Sequence, residues 1–257
     1  MRPTIGLTCD TVERPTAPRV RQMLARTYTD AVWLAGGNPI LLPHIPDAID
    51  EQLRLCDGIV LTGGDDPDMT SFGQPNHPAA TIMDPLRQRY ELALIAALDH
   101  TSHPVLGICL GMQLMCLHHG GKLIQHLDDE SLKTHRNTEH VVTRCVAGPH
   151  VLPDSATVHS HHHQSVASPG TPGKLRICAT GPGGVIEAVD SPQAEAERIS
   201  GGVASGGVAS GGAASGSSAP RFYLGVQWHP ERTADSSMGQ HLFDALIAAA
   251  KGKNQRK

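Results

Sequence analysis

One stretch, residues 104–115, sets the strongest limit on how this chain can fold. A short apolar run leads into the letters GICLG, centred on Cys109, and an apolar helical pattern follows. The spacing G-x-C-x-G is that of a nucleophile elbow, a sharp strand-to-helix turn that exposes its central side chain. Gly107 and Gly111 would remove the Cβ atoms that clash in such a strained turn. We therefore expect Cys109 at a helix N-terminus, where the helix dipole favours a thiolate; the alternative is an ordinary buried cysteine.

A second stretch, GVQWHPE at residues 225–231, follows the apolar residues 222–224. It predicts a strand that ends at Pro230, because proline cannot continue the ladder of hydrogen bonds. His229 and Glu231 lie two residues apart on an extended segment, so their side chains can point to the same side. Together with Cys109 they form the nucleophile, base and orienting group of covalent acyl transfer.

The segments GICLGMQ and GVQWHPE resemble those of class I glutamine amidotransferases, and more narrowly those of the gamma-glutamyl-gamma-aminobutyrate hydrolase-like cysteine hydrolases. Six further segments match in the same order: TIGLTCD, DGIVLTGGDDPDMTSFG, DPLRQRYELALI, GGKLIQHL, HSHHHQSV and GGVIEAVD. The resemblance implies a flavodoxin-like glutamine amidotransferase fold with Cys109, His229 and Glu231 as the catalytic triad. It also implies that neither a metal nor an organic cofactor is needed.

Length and composition limit the class of protein. The chain has 257 residues, enough for one large α/β domain, and its net charge of −4 gives no indication of a nucleic-acid partner. No apolar run is long enough to cross a membrane, and no signal peptide pattern is present. The six cysteines lack CxxC spacing, which favours reduced thiols over a disulfide framework. We expect a cytoplasmic protein whose partner is a small molecule, with a homodimer left open.

Alternating strand and helix patterns predict a three-layer α/β fold, in which a mostly parallel central sheet has helices on both faces. A smaller antiparallel strand region is expected in the second half. Predicted strands cover residues 4–9, 39–42, 59–62, 105–108, 141–146, 174–179, 185–189 and 222–226. Predicted helices cover residues 20–35, 48–55, 85–100, 109–119 and 238–251. Loops are predicted around Pro15 and Pro18 and over residues 65–83.

Residues 200–218 consist of SGGVA, SGGVA, SGGAA and SGSS, a composition typical of flexible linkers. The segment lies between two predicted strands, so we interpret it as a disordered loop insertion in a single domain, residues 1–257, and not as a domain boundary. A role as a substrate lid is the less favoured alternative, since loop tips tolerate insertions.

The glycines Gly63 and Gly64 follow a predicted strand, where the resemblance places half of the oxyanion hole. Two backbone N–H groups must converge on the developing oxyanion. One would come from Leu110, directly after the nucleophile, and the other from the Gly63-Gly64 turn. The alternative is an ordinary turn at the end of a strand. Leu110 stands where most members of the family carry Arg, which keeps the N–H group but removes a charge near the pocket.

The tract His159-Ser160-His161-His162-His163-Gln164 suggests a metal site, since His-rich tracts can bind metals. We disfavour this, because successive side chains of an extended segment alternate between faces and at most two of the three consecutive histidines would converge. The resemblance instead makes Ser160, His162, His163 and Gln164 substrate contacts, together with Gln113 after the nucleophile. His159 stands where the family usually has Asn.

Two acidic residues lie in otherwise apolar patterns. Glu187, in a predicted strand, is either a solvent-facing residue or, as the resemblance implies, an acid that supports the pocket. Glu91, on the helix that follows the long loop, is interpreted as structural, anchoring the elbow.

These features predict a hydrolase of gamma-glutamyl amide bonds in small gamma-glutamyl amines, a class that the resemblance connects with polyamine catabolism. The reaction would pass through a gamma-glutamyl thioester on Cys109. One alternative is a glutaminase subunit that supplies ammonia to a separate synthase, since the same triad serves both reactions. A second is a catalytically silent binding domain.

Overall fold

The computed structural model describes residues 1–14, 17–145, 151–191 and 221–254. Its strands are β1 (Thr4–Leu7), β2 (Asp10–Arg14), β3 (Ala17–Met23), β4 (Asn38–Leu41), β5 (Gly58–Leu61), β6 (Val105–Ile108), β7 (Lys122–Ile124), β8 (Arg136–Arg144), β9 (Ser155–His161), β10 (Ser165–Ser168), β11 (Arg176–Thr180), β12 (Ile186–Asp190) and β13 (Tyr223–Val226). Its helices are α1 (Arg26–Leu34), α2 (Ile49–Leu55), α3 (Pro85–Leu98), α4 (Leu110–His118), α5 (Asp129–His135) and α6 (Gln240–Asn254). Short 3-10 turns occupy Pro46–Ala48, Met69–Phe72 and Pro182–Gly184.

A single large sheet runs through the described residues in the order β4-β1-β5-β6-β13-β12-β11-β8-β9. The first five strands of that order are parallel, and those from β12 onward are antiparallel to their neighbours. Strand β10 pairs with β12 and β7. The prediction of a mostly parallel sheet with an antiparallel region in the second half is confirmed.

Helices cover both faces of the parallel strands. On β5, Ile59 and Leu61 belong to a core shared with α2, α3 and α4, whereas Val60 between them belongs to a core shared with α1 and α6. This division follows from the alternation of side chains along a strand, because a strand covered on both faces must be apolar at every position. The predicted three-layer architecture is therefore confirmed, and it places the carboxyl ends of β5, β6 and β13 at one edge.

The predicted helix over residues 20–35 is wrong for its first six residues, 20–25. Residues 10–14 and 17–23 form the antiparallel hairpin β2–β3, with Asp10 opposite Met23 and Glu13 opposite Val20, where a loop and the start of the helix had been expected. Only Arg26–Leu34 is helical, and its residues Ala31 and Val32 are buried as the spacing predicted. Met23, by contrast, is exposed. The apolar spacing extended into the hairpin by coincidence, and prolines in this region did not exclude a strand because an edge strand tolerates them.

Several shorter elements were not predicted, namely β7, α5, β9 and β10. Strand β8 begins earlier than expected, and α6 runs from Gln240 to Asn254 instead of over residues 238–251. The predicted loop at 200–218 lies outside the described residues. None of the described helices is long and apolar enough to cross a membrane.

Candidate active site

Cys109 occupies the turn between β6 and α4, at the N-cap of the helix, with φ 50° and ψ −102°. This left-handed φ confirms the strained turn that the glycine spacing predicted. A Cβ on Gly111 would lie 2.3 Å from the carbonyl oxygen of Leu61, and one on Gly107 would lie 2.4 Å from Met115 Sδ. Both positions therefore require glycine so that the elbow can approach the neighbouring strand and helix.

His229 and Glu231 follow β13, which runs parallel to β6 with Val226 opposite Ile108. The Cys109 N–H donates to the carbonyl of Val226 over 2.8 Å, so the two strand ends are tied together. His229 Nδ1 lies 2.7 Å from Glu231 Oε1. A carboxylate only accepts, so Nδ1 donates and Nε2 is left for Cys109.

The electrostatics of His229 are unusual. Burial alone would lower its pKa, but hydrogen bonds to Cys109 and Glu231 and the charges of both groups raise the pKa to about 10. The imidazole is thus held as a cation at neutral pH. Such a cation stabilises a thiolate beside it and has a proton ready for a leaving group.

The Gly63-Gly64 turn is packed against the triad. The Gly63 N–H donates to the Tyr28 hydroxyl over 3.2 Å, and a Cβ on Gly63 would lie 2.9 Å from that hydroxyl and 3.1 Å from His229 Cε1. Gly64 borders the cavity next to Cys109. Since the Gly63 N–H already has a partner, the geometry favours the backbone of Gly64, with that of Leu110, as the group free to meet an oxyanion.

The side chain of Arg87 supports the Gly63-Gly64 turn from inside the protein. It is fully buried and donates to the Gly63 carbonyl over 2.9 Å, while Glu91 and Asp10 balance its charge at 2.6 and 2.9 Å. A Cβ on Gly64 would lie 2.1 Å from Arg87 Nη1. Glu91 is therefore structural as predicted, but through Arg87 it supports the glycine turn and not the elbow.

Two amides sit behind the nucleophile. Gln227 Nε2 donates to Cys109 Sγ over 3.4 Å, and Gln113 Nε2 donates to Gln227 Oε1 over 3.3 Å. Leu110 is buried in the core shared with α3, so its side chain does not face the cavity. Gln113 is thus connected to Cys109 through the side chain of Gln227.

A cavity of about 240 Å³ opens beside Cys109. All three consecutive histidines, His161, His162 and His163, border it. Their ring nitrogens nevertheless have separate partners, since His162 Nε2 faces Glu187 and His163 Nε2 lies 2.9 Å from Asp66. The residues that line the cavity are Gly64, Asp65, Asp66, Ala79, Thr81, Cys109, Gln113, His126, Arg136, His161, His162, His163 and Gln164.

Of the predicted substrate contacts, Ser160 is placed elsewhere. Its hydroxyl is buried and donates to the His135 carbonyl over 2.7 Å, so it belongs to the packing behind the cavity. His159 also lies outside the lining, and its carbonyl accepts the His229 N–H over 3.0 Å. Gln164 does border the cavity, and both polar atoms of its buried amide lack a partner among the described residues.

The cavity carries charges of both signs. Arg136 lies on one side, and Asp65 and Asp66 contribute carboxylates. His163 Nε2 lies 2.9 Å from Asp66, and His126 Nδ1 lies 3.0 Å from His163 Nδ1. Arg136 thus provides a positive charge even though Leu110 replaces the usual Arg.

Glu187 is not a solvent-facing strand residue. It is fully buried behind the cavity wall, and its Oε1 lies 3.5 Å from His162 Nε2. The alternative of an exposed position is wrong, and the interpretation of Glu187 as a supporting acid agrees with this position.

Sequence reasoning missed Tyr28, Arg87, Gln227 and Arg136. For Arg87 a signal existed, since it precedes Glu91 by four residues on a helix and such pairs face each other. Gln227 lies within the GVQWHPE segment, two residues before the base on the same strand end. Tyr28 and Arg136 carried no local signal, because they reach the site only through tertiary packing.

Comparison with known proteins agrees with this geometry. The model of the Peptidase C26 family matches residues 3–203. A glutamine amidotransferase-like protein of Rickettsia prowazekii is 28% identical, and the alignment covers 89% of each chain. The gamma-glutamyl-gamma-aminobutyrate hydrolase PuuD of Escherichia coli K12 is 29% identical, with 89% of this chain and 86% of the relative covered.

A solved structure of a glutamine amidotransferase from Thermotoga maritima has a TM-score of 0.55 at 14% identity, covering 90% of this chain and 77% of that chain. At 14% identity this structural similarity is evidence for a shared fold alone. The glutamine amidotransferase-like fold that the sequence motifs predicted is thereby confirmed.

Proposed function

We propose that this chain, which belongs to the Peptidase C26 family, hydrolyses gamma-glutamyl amide bonds of small gamma-glutamyl amines through a thioester on Cys109. Peptidases hydrolyse amide bonds, so membership of the family makes the chain a hydrolase of that class. The substrate and the covalent mechanism are what the proposal adds.

In the first step the Cys109 thiolate attacks the side-chain amide carbonyl. The backbone N–H groups of Gly64 and Leu110 receive the oxyanion, and Gly63 holds the turn that presents Gly64. The His229 imidazolium gives its proton to the leaving amine, and a gamma-glutamyl thioester remains on the sulfur. In the second step neutral His229 takes a proton from water, which attacks the thioester and releases glutamate. Glu231 keeps the imidazole oriented through Nδ1 in both steps.

The observation that carries the proposal is the charge distribution of the cavity beside Cys109. A gamma-glutamyl group ends in an α-ammonium and an α-carboxylate, and its recognition needs charges of both signs. Arg136 can pair with the carboxylate, while Asp65 and Asp66 can pair with the ammonium. The amide of Gln164, which has no partner among the described residues, supplies a further donor and acceptor, and His163 completes the proposed contacts. The PuuD relative, named for a gamma-glutamyl substrate, supports the same class.

A glutaminase that supplies ammonia to a separate synthase is the second candidate, favoured by the relative named as glutamine amidotransferase-like. Glutamine is itself a gamma-glutamyl amide, so the same site would accept it. The two candidates differ in their leaving group, which is ammonia in one case and a larger amine in the other.

The test is a panel of gamma-glutamyl amides of small amines, with glutamine, a folylpolyglutamate and matched α-glutamyl isomers. We expect release of amine from the gamma-glutamyl amides, and none from the α isomers, because their α-carboxylate is no longer free. A quenched reaction should show the mass of a glutamyl group on the Cys109 peptide. Cys145→Ala, at an exposed cysteine away from the cavity, serves as the control and should retain the wild-type rate. Cleavage by Cys109→Ala at the wild-type rate would refute the mechanism and leave the binding-domain alternative.

A further inference from the structure

Behind the cavity wall, three histidines surround one glutamate. His135, His140 and His162 place their Nε2 atoms 3.4, 3.4 and 3.5 Å from Glu187 Oε1. The Glu187 side chain is fully buried, and the exposed fraction of each imidazole is 3% or less. The four residues come from different elements: the end of α5, β8, the turn after β9, and β12.

The other ring nitrogen of each histidine has a fixed partner. Nδ1 of His135, His140 and His162 lies 2.8 Å from the backbone carbonyls of Ser131, Thr134 and Gln164 respectively. A carbonyl oxygen only accepts, so each Nδ1 carries a proton. In the neutral imidazole, Nε2 is then a bare lone pair. An Nδ1–H held by a backbone carbonyl, with Nε2 left free, is the arrangement found in histidines that bind metals.

The lone pairs converge without hydrogen bonds between them. Within the part of the chain that the structure describes, none of the three Nε2 atoms and neither Glu187 oxygen has a partner with hydrogen-bond geometry, although all are buried. Buried polar atoms in native proteins almost always have partners, so five such atoms in one place require an explanation.

The separations fit a cation better than hydrogen bonds. Ring N–H to carboxylate bonds are about 2.7–2.9 Å long, shorter than the distances found here. Ligands about 2.0–2.1 Å from a tetrahedral zinc ion lie about 3.3–3.4 Å from one another, close to those distances. The Nε2 atoms of His135 and His140 and a Glu187 oxygen all lie within 4.8 Å of one another. His162 Nε2 lies 3.5 Å from Glu187 Oε1 but does not belong to this group.

We propose that His135, His140 and Glu187 form a binding site for one divalent transition-metal cation, with zinc as the best match to two imidazoles and a carboxylate. All three ligands are buried behind the cavity wall, so the site does not face a substrate and its role is structural. The cation would fasten α5 and β8 to strand β12, next to the wall that carries His162 and Gln164. The site is separate from Cys109, and the proposal does not depend on the reaction catalysed there.

The first experiment measures metal in wild-type protein grown with added zinc and desalted without a chelator. We expect about one zinc ion per chain. Protein stripped with dipicolinate should take up the same amount from zinc sulfate, and its unfolding temperature should rise as it does so. X-ray absorption at the zinc edge should show two imidazole scatterers in the wild type, a result that does not require any variant to fold. Less than about a tenth of an equivalent in both preparations would overturn it and indicate a metal-free cluster.

The second experiment uses variants. His140→Gln and Glu187→Gln should lose most of the bound zinc. The matched control is His118→Gln, in the group Asp99, His118 and His119, which is the other close group of ligating side chains among the described residues and is partly exposed. Zinc retained by both cluster variants, or lost only in His118→Gln, would contradict the assignment. Both experiments measure bound metal or stability and not hydrolase activity. A negative result would therefore leave the proposed hydrolase function unaffected.

Discussion

Two groups of histidine and glutamate, one directly after β13 and one around Glu187 on the neighbouring strand β12, use opposite ring nitrogens for the carboxylate. In the triad, His229 gives Nδ1 to Glu231 and keeps Nε2 for Cys109. In the buried cluster, Nδ1 of His135, for example, goes to a backbone carbonyl and Nε2 faces Glu187.

The comparison shows that the partner of Nδ1 decides what an imidazole can do. A carboxylate on Nδ1 stabilises the imidazolium and suits the ring to proton transfer. A backbone carbonyl on Nδ1 fixes the ring and turns Nε2 away from it, so that Nε2 can act as a lone-pair donor when the ring is neutral. We therefore expect changes in the triad to reduce the rate and changes in the cluster to reduce the stability.

The largest effect is expected for His229→Ala. Removing the base should lower kcat roughly 10⁴-fold or more, because the members of a catalytic triad act as a unit. Combining it with Cys109→Ala should add little. Steady-state kinetics would check this, with unfolding by urea as the control for folding. A loss smaller than tenfold would separate His229 from the chemistry.

The next effect concerns Glu187→Gln. Removal of the charge leaves a buried cluster without its anion, and the free energy of unfolding should fall by about 3–5 kcal/mol. Urea denaturation monitored by tryptophan fluorescence would measure this. If Glu187→Gln reduced the rate of the folded protein without changing its stability, the proposed division between the two groups would be wrong.

The pH dependence of stability should report His229. Its pKa is raised from 6.5 in the unfolded chain to about 10 in the folded protein. The folded state thus holds more protons between these values, so its contribution is complete below pH 6.5 and is lost as the pH rises through about 10. The expected slope is at most about 1.4 kcal/mol per pH unit inside that window. Subtracting the profile of His229→Gln should remove this slope, and identical profiles would show that His229 is not held as a cation.

A smaller effect on the rate is expected for Glu231→Gln. The amide can still accept from Nδ1 but no longer stabilises the imidazolium, so kcat should fall about thirtyfold, equivalent to about 2 kcal/mol. Kinetics and urea unfolding on the same preparations would show a loss of rate with little change in stability. A loss of stability with little change in rate would instead assign Glu231 a structural role, like the one expected for Glu187.

The smallest effect is expected for Ser160→Ala. Its hydroxyl bonds the carbonyl of His135, so the free energy of unfolding should fall by about 1 kcal/mol. KM should not change, because the side chain does not border the cavity. Gln164→Ala, four residues further along the chain and on the cavity wall, is the matched variant and should raise KM. An increase of KM in Ser160→Ala would restore the substrate contact that the resemblance implies.

The motifs near Cys109 and His229 could be recognised in the sequence because their geometry is local. The elbow needs Gly107 and Gly111 at fixed spacing, and the two strands that carry the triad are continuous apolar runs. The parallel half of the fold followed from the same alternation of strands and helices.

What the sequence did not reveal depends on contacts between distant segments. Arg87 and Gly63 come into contact only in the folded protein. The histidines near Glu187 are more than twenty residues away from it in the sequence. The His-rich tract drew attention to consecutive residues, whereas the cluster takes one histidine from the tract and two from before it. The hairpin β2–β3 was missed because its apolar residues continued the spacing of α1.

The antiparallel pairing of β12 with β13 has a consequence for how the chain can vary. Asp190 pairs with Leu224, and the Ser191 N–H donates to the Tyr223 carbonyl over 3.3 Å, so β12 ends next to the place where β13 begins. Cys109 lies at the other end of these strands, beyond Val226. The connection between β12 and β13 therefore joins these strands at the end opposite Cys109. It can gain or lose residues by mutation without moving Cys109 or His229. This junction is thus the natural place for a reporter domain or an affinity tag to be inserted into the gene.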